Sequence, residues 1–479
     1  MYYNCKQLKF IFIIMAFPFI AIIVQKLSEG TGIPYILLHF VLSMFLIFPF
    51  AYIFRFFKGE KIRLIANLIF GILLQYNMIG NGMRHLIYET TFTYLFIKFL
   101  GRKVSAFYLV VFNFIHLTYL HFYDFWYHYG EWTLGAETVC MMSLCKFSII
   151  AFNYEDGGKD DDKIPDFFKN KRLINKPTLL ETFSYIFFFP TSLIGPSVEF
   201  YDFMNFMKLE GDFKSLDYSK CNKQLVKDII KDIILIIITG GTGHILSPEY
   251  TGTEEFKVRS MLFKIIYVFF SVAWIRAKYY TGWALAETSM TLCGFSFTIK
   301  EENGNKIVTF DRVDNCNVYM IETSISNGTK MQYWNRSVHL WLKNYIYIRL
   351  QKPDRSNSGF VSFITFIISA FWHGVYPNYY IFFFNMFLLE QICKYIHVWG
   401  LFKKMENDKN YLRKLFFWFI FFWAQDYSGL SFVHFSIKEN INFYSSFYFI
   451  ANILLFCGFI YTSFIGKRPK RTVAKPKQQ

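Results

Sequence analysis

Long apolar runs separated by short polar breaks dominate this chain. They lie near residues 8–24, 33–57, 62–80, 83–100, 104–122, 137–152 and 183–195, and again near 224–239, 259–277, 279–295, 359–375, 376–399, 411–425 and 441–465. A helix that crosses a bilayer needs about 20 predominantly apolar residues. Several runs are shorter or carry polar side chains. The pattern therefore predicts roughly ten or eleven spans, the other runs being re-entrant or buried among helices, where polar backbone at membrane depth is tolerated. The first run, with Lys6 and Lys9 at its start, has the outline of a signal peptide. It lacks a small-x-small cleavage site and further spans follow, so it reads as a retained helix. The polar interruptions are 153–177, placed in water, a second polar stretch at 300–330, and the stretch 466–479. That last stretch holds six basic residues and no acid, and reads as a disordered cytosolic tail drawn to anionic lipid. The domain expectation is one integral-membrane unit over 1–465 followed by this tail. No internal repeat of solenoid length and no heptad array is visible.

Composition strengthens the membrane reading. Of the 479 residues, 54% are hydrophobic, 22% aromatic and only 18% charged, against about 25% charged in an ordinary soluble protein. With 61 Phe and 33 Tyr, a soluble fold would expose large apolar patches to water, and disorder demands low hydrophobicity. The net charge of +16 would suggest nucleic acid in a soluble protein. Here the basic residues cluster between apolar runs, as topogenic positive loops do, and no nucleic-acid partner is expected. The eight cysteines form no C-x-x-C pair. Most sit in apolar stretches as small hydrophobes, so neither a disulfide framework nor a metal site is predicted.

Common catalytic motifs are missing. There is no G-x-S-x-G elbow and no H-E-x-x-H zinc motif. The TGGTGH at 239–244 lacks the Lys-Ser/Thr of a phosphate loop and reads as a helix end. His116, His121 and His128 are spaced by five and seven, which does not put them on one helix face. They are expected to pack in an interfacial aromatic belt.

Two residues do stand out. Asn335 opens the amphipathic run at 334–350, and His373 closes the apolar run that begins at 359. An ionisable residue within a membrane segment is a functional hypothesis by default. If the two runs are helices joined at the polar break 351–358, both residues lie roughly 22–24 Å from the turn at 1.5 Å per residue. They would then meet at one level, deep in the membrane. A hydrogen-bonded packing histidine is the competing reading.

Four blocks extend this picture: LGAETVCMMSLCKFSIIAFNYEDG at 134–157, FFFPTSLIGPSVEFYDFMNFM at 187–207, YWNRSVHLWLKNYIYIRL at 333–350 and AFWHGVYP at 370–377. Their order and spacing resemble the membrane-bound O-acyltransferase family, and within it the lysophospholipid acyltransferases. One departure is Asn378-Tyr379, where the family's His block often continues to Gly-Tyr. The resemblance implies an all-helical, multi-pass protein of the endoplasmic reticulum membrane, with an intramembrane reaction chamber. It implies acyl-CoA as co-substrate, a lysophospholipid acceptor, surrounding membrane lipid and no cofactor or metal. By position, His373 matches the family's active-site His and Asn335 its active-site Asn. In such a reaction the His takes the proton of the attacking hydroxyl. The Asn orients a reactant or stabilises the oxyanion. Trp334, His339 and Trp372 flank these centres as candidate substrate contacts, packing being the competing role for the tryptophans. Glu199 is a candidate for the lysolipid path. Arg349, Lys352 and Arg355, at the turn, either meet CoA phosphates or mark the cytosolic side. A sterol, diacylglycerol or protein acceptor is the alternative within the family, and a membrane transporter is the alternative outside it.

Overall fold

The computed structural model describes residues 18–31, 35–131, 134–243, 245–352, 354 and 356–465. Residues 8–17 of the first apolar run, Arg355 and the 466–479 tail lie outside them. The described residues begin with five helices: α1 Pro18–Thr31, α2 Tyr35–Phe54, α3 Glu60–Ile79, α4 Met83–Phe99 and α5 Ala106–Tyr127. They are followed by α6 Ala136–Asp156, the short α7 Leu179–Ile186 and α8 Phe200–Lys208, then α9 Tyr218–Thr242 and α10 Met261–Cys293. The short α11 Val318–Thr323, α12 Asn327–Tyr333 and α13 Arg336–Trp341 lead into a π-helical stretch, Leu342–Tyr347. The chain then forms α14 Ser358–His373, α15 Pro377–Val398, α16 Tyr411–Gly429, α17 Ile437–Ser446 and α18 Ile450–Ile460.

The fold is an all-helical polytopic membrane architecture. Among the described residues, five helical stretches are long and apolar enough to cross a bilayer, or six if the pair around α17 and α18, bent by 86°, is one span. The sequence pattern predicts more, for reasons visible in the chain. The runs at 62–80 and 83–100 join across a three-residue turn, Gly80–Gly82, into a helical stretch from Glu60 to Phe99. The runs at 259–277 and 279–295 are one 33-residue helix, α10, because nothing between them breaks it. Ser260 caps its start, and Gly294, at φ 94°, ends it. The run at 183–195 is a short helix and a tight turn rather than a span.

The outer surface explains the apolar composition. On α9, Ile229, Ile230, Ile233, Ile234, Ile237 and Ile238 are all exposed. Their four-residue recurrence makes one greasy stripe, stable in lipid and not in water. One charge at depth is doubly paired. Arg276 of α10 is buried and bonds Asp426 of α16 and Glu322 of α11, as charged groups facing a bundle interior do. The polar stretch at 300–330 holds the one strand pairing among the described residues. It contributes to a small antiparallel hairpin, β1 Thr298–Glu302 with β2 Asn305–Thr309. Asn303 and Gly304, at φ 52° and 78°, make the two-residue turn that such hairpins favour.

The segment that carries the 195–200 block is pinned from below. Lys146 of α6 is fully buried and donates to the Ile186 carbonyl at 2.9 Å and to Thr191 Oγ1 at 2.6 Å. Tyr185 donates to the Val198 carbonyl at 2.6 Å. These bonds satisfy an irregular backbone that could not survive unpaired at this depth.

Candidate active site

The run from Asn335 to Leu350 lies against α6 through residues four apart. Trp341 Nε1 donates to Ser148 Oγ at 2.6 Å. Tyr345 reaches Asn153 Oδ1 at 3.0 Å and Glu199 Oε2 at 2.7 Å. Arg349 grips Asp156 with both terminal nitrogens, at 2.6 and 3.2 Å. A single phenol proton serves one acceptor at a time, and Asn153 Nδ2 is left without a partner. Turning the Asn153 amide over resolves the phenol's conflict, since its NH2 then donates to the phenol oxygen while the phenol donates to Glu199. The 341, 345, 349 spacing is one helical face. It joins three of the four sequence blocks in one place.

Asn335 begins this run in the left-handed region, at φ 42°, ψ 54°. Asn tolerates this conformation better than most residues. Its side chain does not cap α13. Its Oδ1 faces Asn315 Nδ2 at 3.5 Å. Its own Nδ2 has no partner among the described residues. Beside it lies a cavity of about 180 Å³ whose lining includes Glu199, Asn315, Arg336, Ser337, Trp341 and Tyr345.

His373 is the last residue of α14, and Gly374 follows at φ 141°. A Cβ at Gly374 would be strained at that φ and would crowd the Tyr379 ring at 3.1 Å. The imidazole is half-buried in rings: Trp372 at 4.6 Å, Phe432 at 4.9 Å, Phe383 at 5.3 Å and Tyr379 at 6.4 Å between centroids. It makes no hydrogen bond to protein among the described residues. The two arms meet where Trp341 packs on Trp372, with centroids 6.0 Å apart. Next to Asn335, Tyr279 packs edge-on against Trp334 at 5.8 Å.

Comparison with known proteins adds a second line. The pattern of the family described as "MBOAT, membrane-bound O-acyltransferase family" matches residues 120–434. That segment covers more than half of the chain and includes both arms. The chain belongs to the membrane-bound O-acyltransferase family. It is similar to "Lysophospholipid acyltransferase 2" of Arabidopsis thaliana, 24% identical over 465 residues, covering 95% of this chain and 99% of that one. It is also similar to "Membrane-bound glycerophospholipid O-acyltransferase 2" of Homo sapiens, 26% identical over 467 residues and covering 90% and 86%. A third relative is "Lysophospholipid acyltransferase" of Saccharomyces cerevisiae, 29% identical over 335 residues, 65% of this chain. The chain spans only about half, 53%, of that yeast relative's length.

Within this acyltransferase the other candidate residues separate by their contacts. Trp372 is buried, and its Nε1 donates to the Met141 carbonyl at 2.8 Å. Trp334 packs against Trp283, Tyr280 and Tyr279. His339 is half-buried and its ring has no partner among the described residues. Glu199 accepts from Tyr345 and pairs with Lys171 at 3.2 Å, which ties it to the cavity beside Asn335. The Arg349 guanidinium is engaged by Asp156 and stacks on Phe152 and Phe168. Lys352 is exposed and makes no ion pair among the described residues. Arg355 lies outside the described residues.

The histidines assigned to an aromatic belt have closer partners than that. His121 is buried, and its Nε2 lies 3.1 Å from the Trp372 carbonyl, one residue before His373. His116 contacts Glu89 at 2.8 Å and His85 at 3.2 Å. Asn315 gave no signal in the sequence, since it lies in a polar stretch with neither apolar periodicity nor a motif.

Proposed function

We propose that this acyltransferase moves a fatty acyl group from acyl-CoA to the free hydroxyl of a lysophospholipid, with His373 as general base and Asn335 as the group that orients a reactant or stabilises the oxyanion. The observation that carries this reading is the state of the two side chains. In a bundle where polar groups at depth are mostly paired, His373 and the Asn335 NH2 are left uncommitted, one on each of two arms that pack together.

The chemistry requires no covalent enzyme intermediate, because a thioester is already activated. A lysophospholipid hydroxyl is a weak nucleophile near neutral pH. A ring nitrogen of His373 accepts its proton as the oxygen attacks the thioester carbon, a contribution of about 10²–10⁴-fold. The Asn335 NH2 donates to the oxygen that becomes negative, and one such donor is worth roughly 3–4 kcal/mol elsewhere. The carbon–sulfur bond then breaks, and the CoA thiolate takes up a proton after it leaves. The rings around His373 exclude water and so suppress hydrolysis of the thioester.

A larger open cavity, about 930 Å³, lies between α5, α6 and α14. It is lined by Val110, Phe114, Ile368 and Phe371 at depth, and by Lys159 and Lys163 at its rim. Such a groove suits an acyl chain with its headgroup at the charged end. We assign the reaction to the endoplasmic reticulum membrane on the family resemblance alone.

The test is CoA thiol release by membranes carrying the protein, supplied with one acyl-CoA and a panel of lysophospholipids, with product analysis. Thiol release that depends on a lysophospholipid and yields the matching diacyl phospholipid is expected. Release driven by a sterol or diacylglycerol instead would reassign the acceptor, and no release with any acceptor would reject the acyl-transfer reading.

A further inference from the structure

Asn335 sits at the end of a relay of hydrogen bonds whose directions are fixed by chemistry. Glu287 of α10 has a side chain only 12% exposed. Its Oε1 accepts the backbone N–H of Asn315 at 2.8 Å and of Cys316 at 3.1 Å, and its Oε2 pairs with Lys231 of α9 at 3.2 Å. Asn315 then clamps the turn at Asn335 from three sides. Its carbonyl accepts the Arg336 N–H at 2.8 Å. Its Oδ1 accepts the Ser337 N–H at 2.8 Å. Its Nδ2 faces Asn335 Oδ1 at 3.5 Å, the longest contact of the set.

The orientation of each amide follows. The Ser337 N–H is a donor, so Asn315 must turn its oxygen toward it. That leaves Asn315 only its NH2 to offer Asn335, and an NH2 requires an acceptor. Asn335 must therefore present Oδ1 to Asn315, and its NH2 must point the other way. Amide orientation is usually ambiguous, yet here one backbone donor, the Ser337 N–H, removes the ambiguity.

We propose that Asn315 and Glu287 are positioning residues that hold Asn335 in its left-handed turn with the NH2, not the carbonyl oxygen, turned toward the reacting thioester. This rests on the reading of Asn335 given above. The relay acts through a catalytic side chain and not on substrate, so disrupting it lowers kcat and leaves substrate binding alone.

Asn315→Asp is the informative change. It keeps the shape and the acceptor for Ser337, but replaces the NH2 by oxygen. Asn335 then turns its own NH2 inward and shows an oxygen to the developing oxyanion. With acyl-CoA and a lysophospholipid as probes, kcat is expected to fall on the order of 10²-fold, with each KM within about twofold of wild type. The double variant with Asn335→Ala should be no slower than Asn335→Ala alone, because the two act as one unit. As a conservative control, Glu287→Gln keeps a carbonyl acceptor for both backbone N–H groups and should retain most of the kcat that Glu287→Leu loses. That pair also decides the matter if Asn315→Asp fails to accumulate in membranes. Wild-type kcat in Asn315→Asp beside a crippled Asn335→Ala overturns the relay and spares the role of Asn335. So does multiplicative loss in the double variant, or equal activity of Glu287→Gln and Glu287→Leu. Wild-type kcat in Asn335→Ala itself overturns the catalytic reading, and the relay with it.

Discussion

The side chains along the Asn335 arm are tethered by hydrogen bonds, whereas the His373 imidazole is held by rings, the hydrogen bonds near it being made by its neighbour Trp372. Along 335–349 the backbone passes from a left-handed residue through a short α-helix to a π-helical turn. Ser148, Asn153, Glu199 and Asp156 anchor it at 341, 345 and 349. Along α14 the contacts near the end are Trp372, Phe383, Phe432 and Tyr379, and the imidazole has no hydrogen-bond partner among the described residues. The difference fits the two tasks we propose. A group that must aim a dipole needs a rigid, directional mount. A base must keep a lone pair free, and apolar rings fix its place without engaging that lone pair.

The contrast is broken most severely at the base. His373→Ala should lower kcat by about 10²–10⁴-fold in protein that still reaches the membrane, since no protein hydrogen bond is removed. Initial rates normalised to the protein present in membranes check this. Asn335→Gly comes next. Glycine suits φ 42° at least as well as asparagine, so the fold should be kept while kcat drops on the order of 10²-fold with the amide gone. A loss in thermal stability alongside would show that the side chain, not only the turn, holds the arm. Lys146→Met removes the donor that serves Ile186 and Thr191 and should cost about 1–3 kcal/mol of stability, read as a lower melting temperature in detergent. Trp341→Phe keeps the ring contact with Trp372 but loses the bond to Ser148, and should cost about 1 kcal/mol. Smallest is Lys352→Ala. As an exposed cation at the turn it should raise the KM for acyl-CoA by no more than about threefold and leave kcat unchanged.

Much of the architecture follows from the order of apolar runs, because burial in lipid is written in composition. The separation of those runs into spans does not follow as well. Whether two runs are one helix depends on what lies between them, and at 277–279 nothing stops α10. Asn335 and His373, the site we propose, stand out in the sequence because recognisable blocks surround both. The hairpin arithmetic assumes two straight helices. The π-helical stretch and the Trp341–Trp372 contact show an arm that is shorter and more irregular than that. Asn315 and Glu287 are illegible by nature. One lies in a loop whose course only the fold determines. The other is a lone carboxylate in a long helix, and its meaning comes from the two backbone N–H groups that reach it. The Asp156 carboxylate that Arg349 grips is likewise not revealed by the sequence.

The central claim is that both arms serve one reacting centre. The most direct measurement is an experimental structure with a non-hydrolysable acyl-CoA and a lysophospholipid bound. The acceptor hydroxyl should lie within hydrogen-bond reach of a His373 ring nitrogen, and the thioester oxygen within reach of Asn335 Nδ2, each at about 3 Å. Substrates held in a compartment that contains only one of the two side chains, or His373 and Asn335 more than about 10 Å apart with substrate between neither, would contradict it.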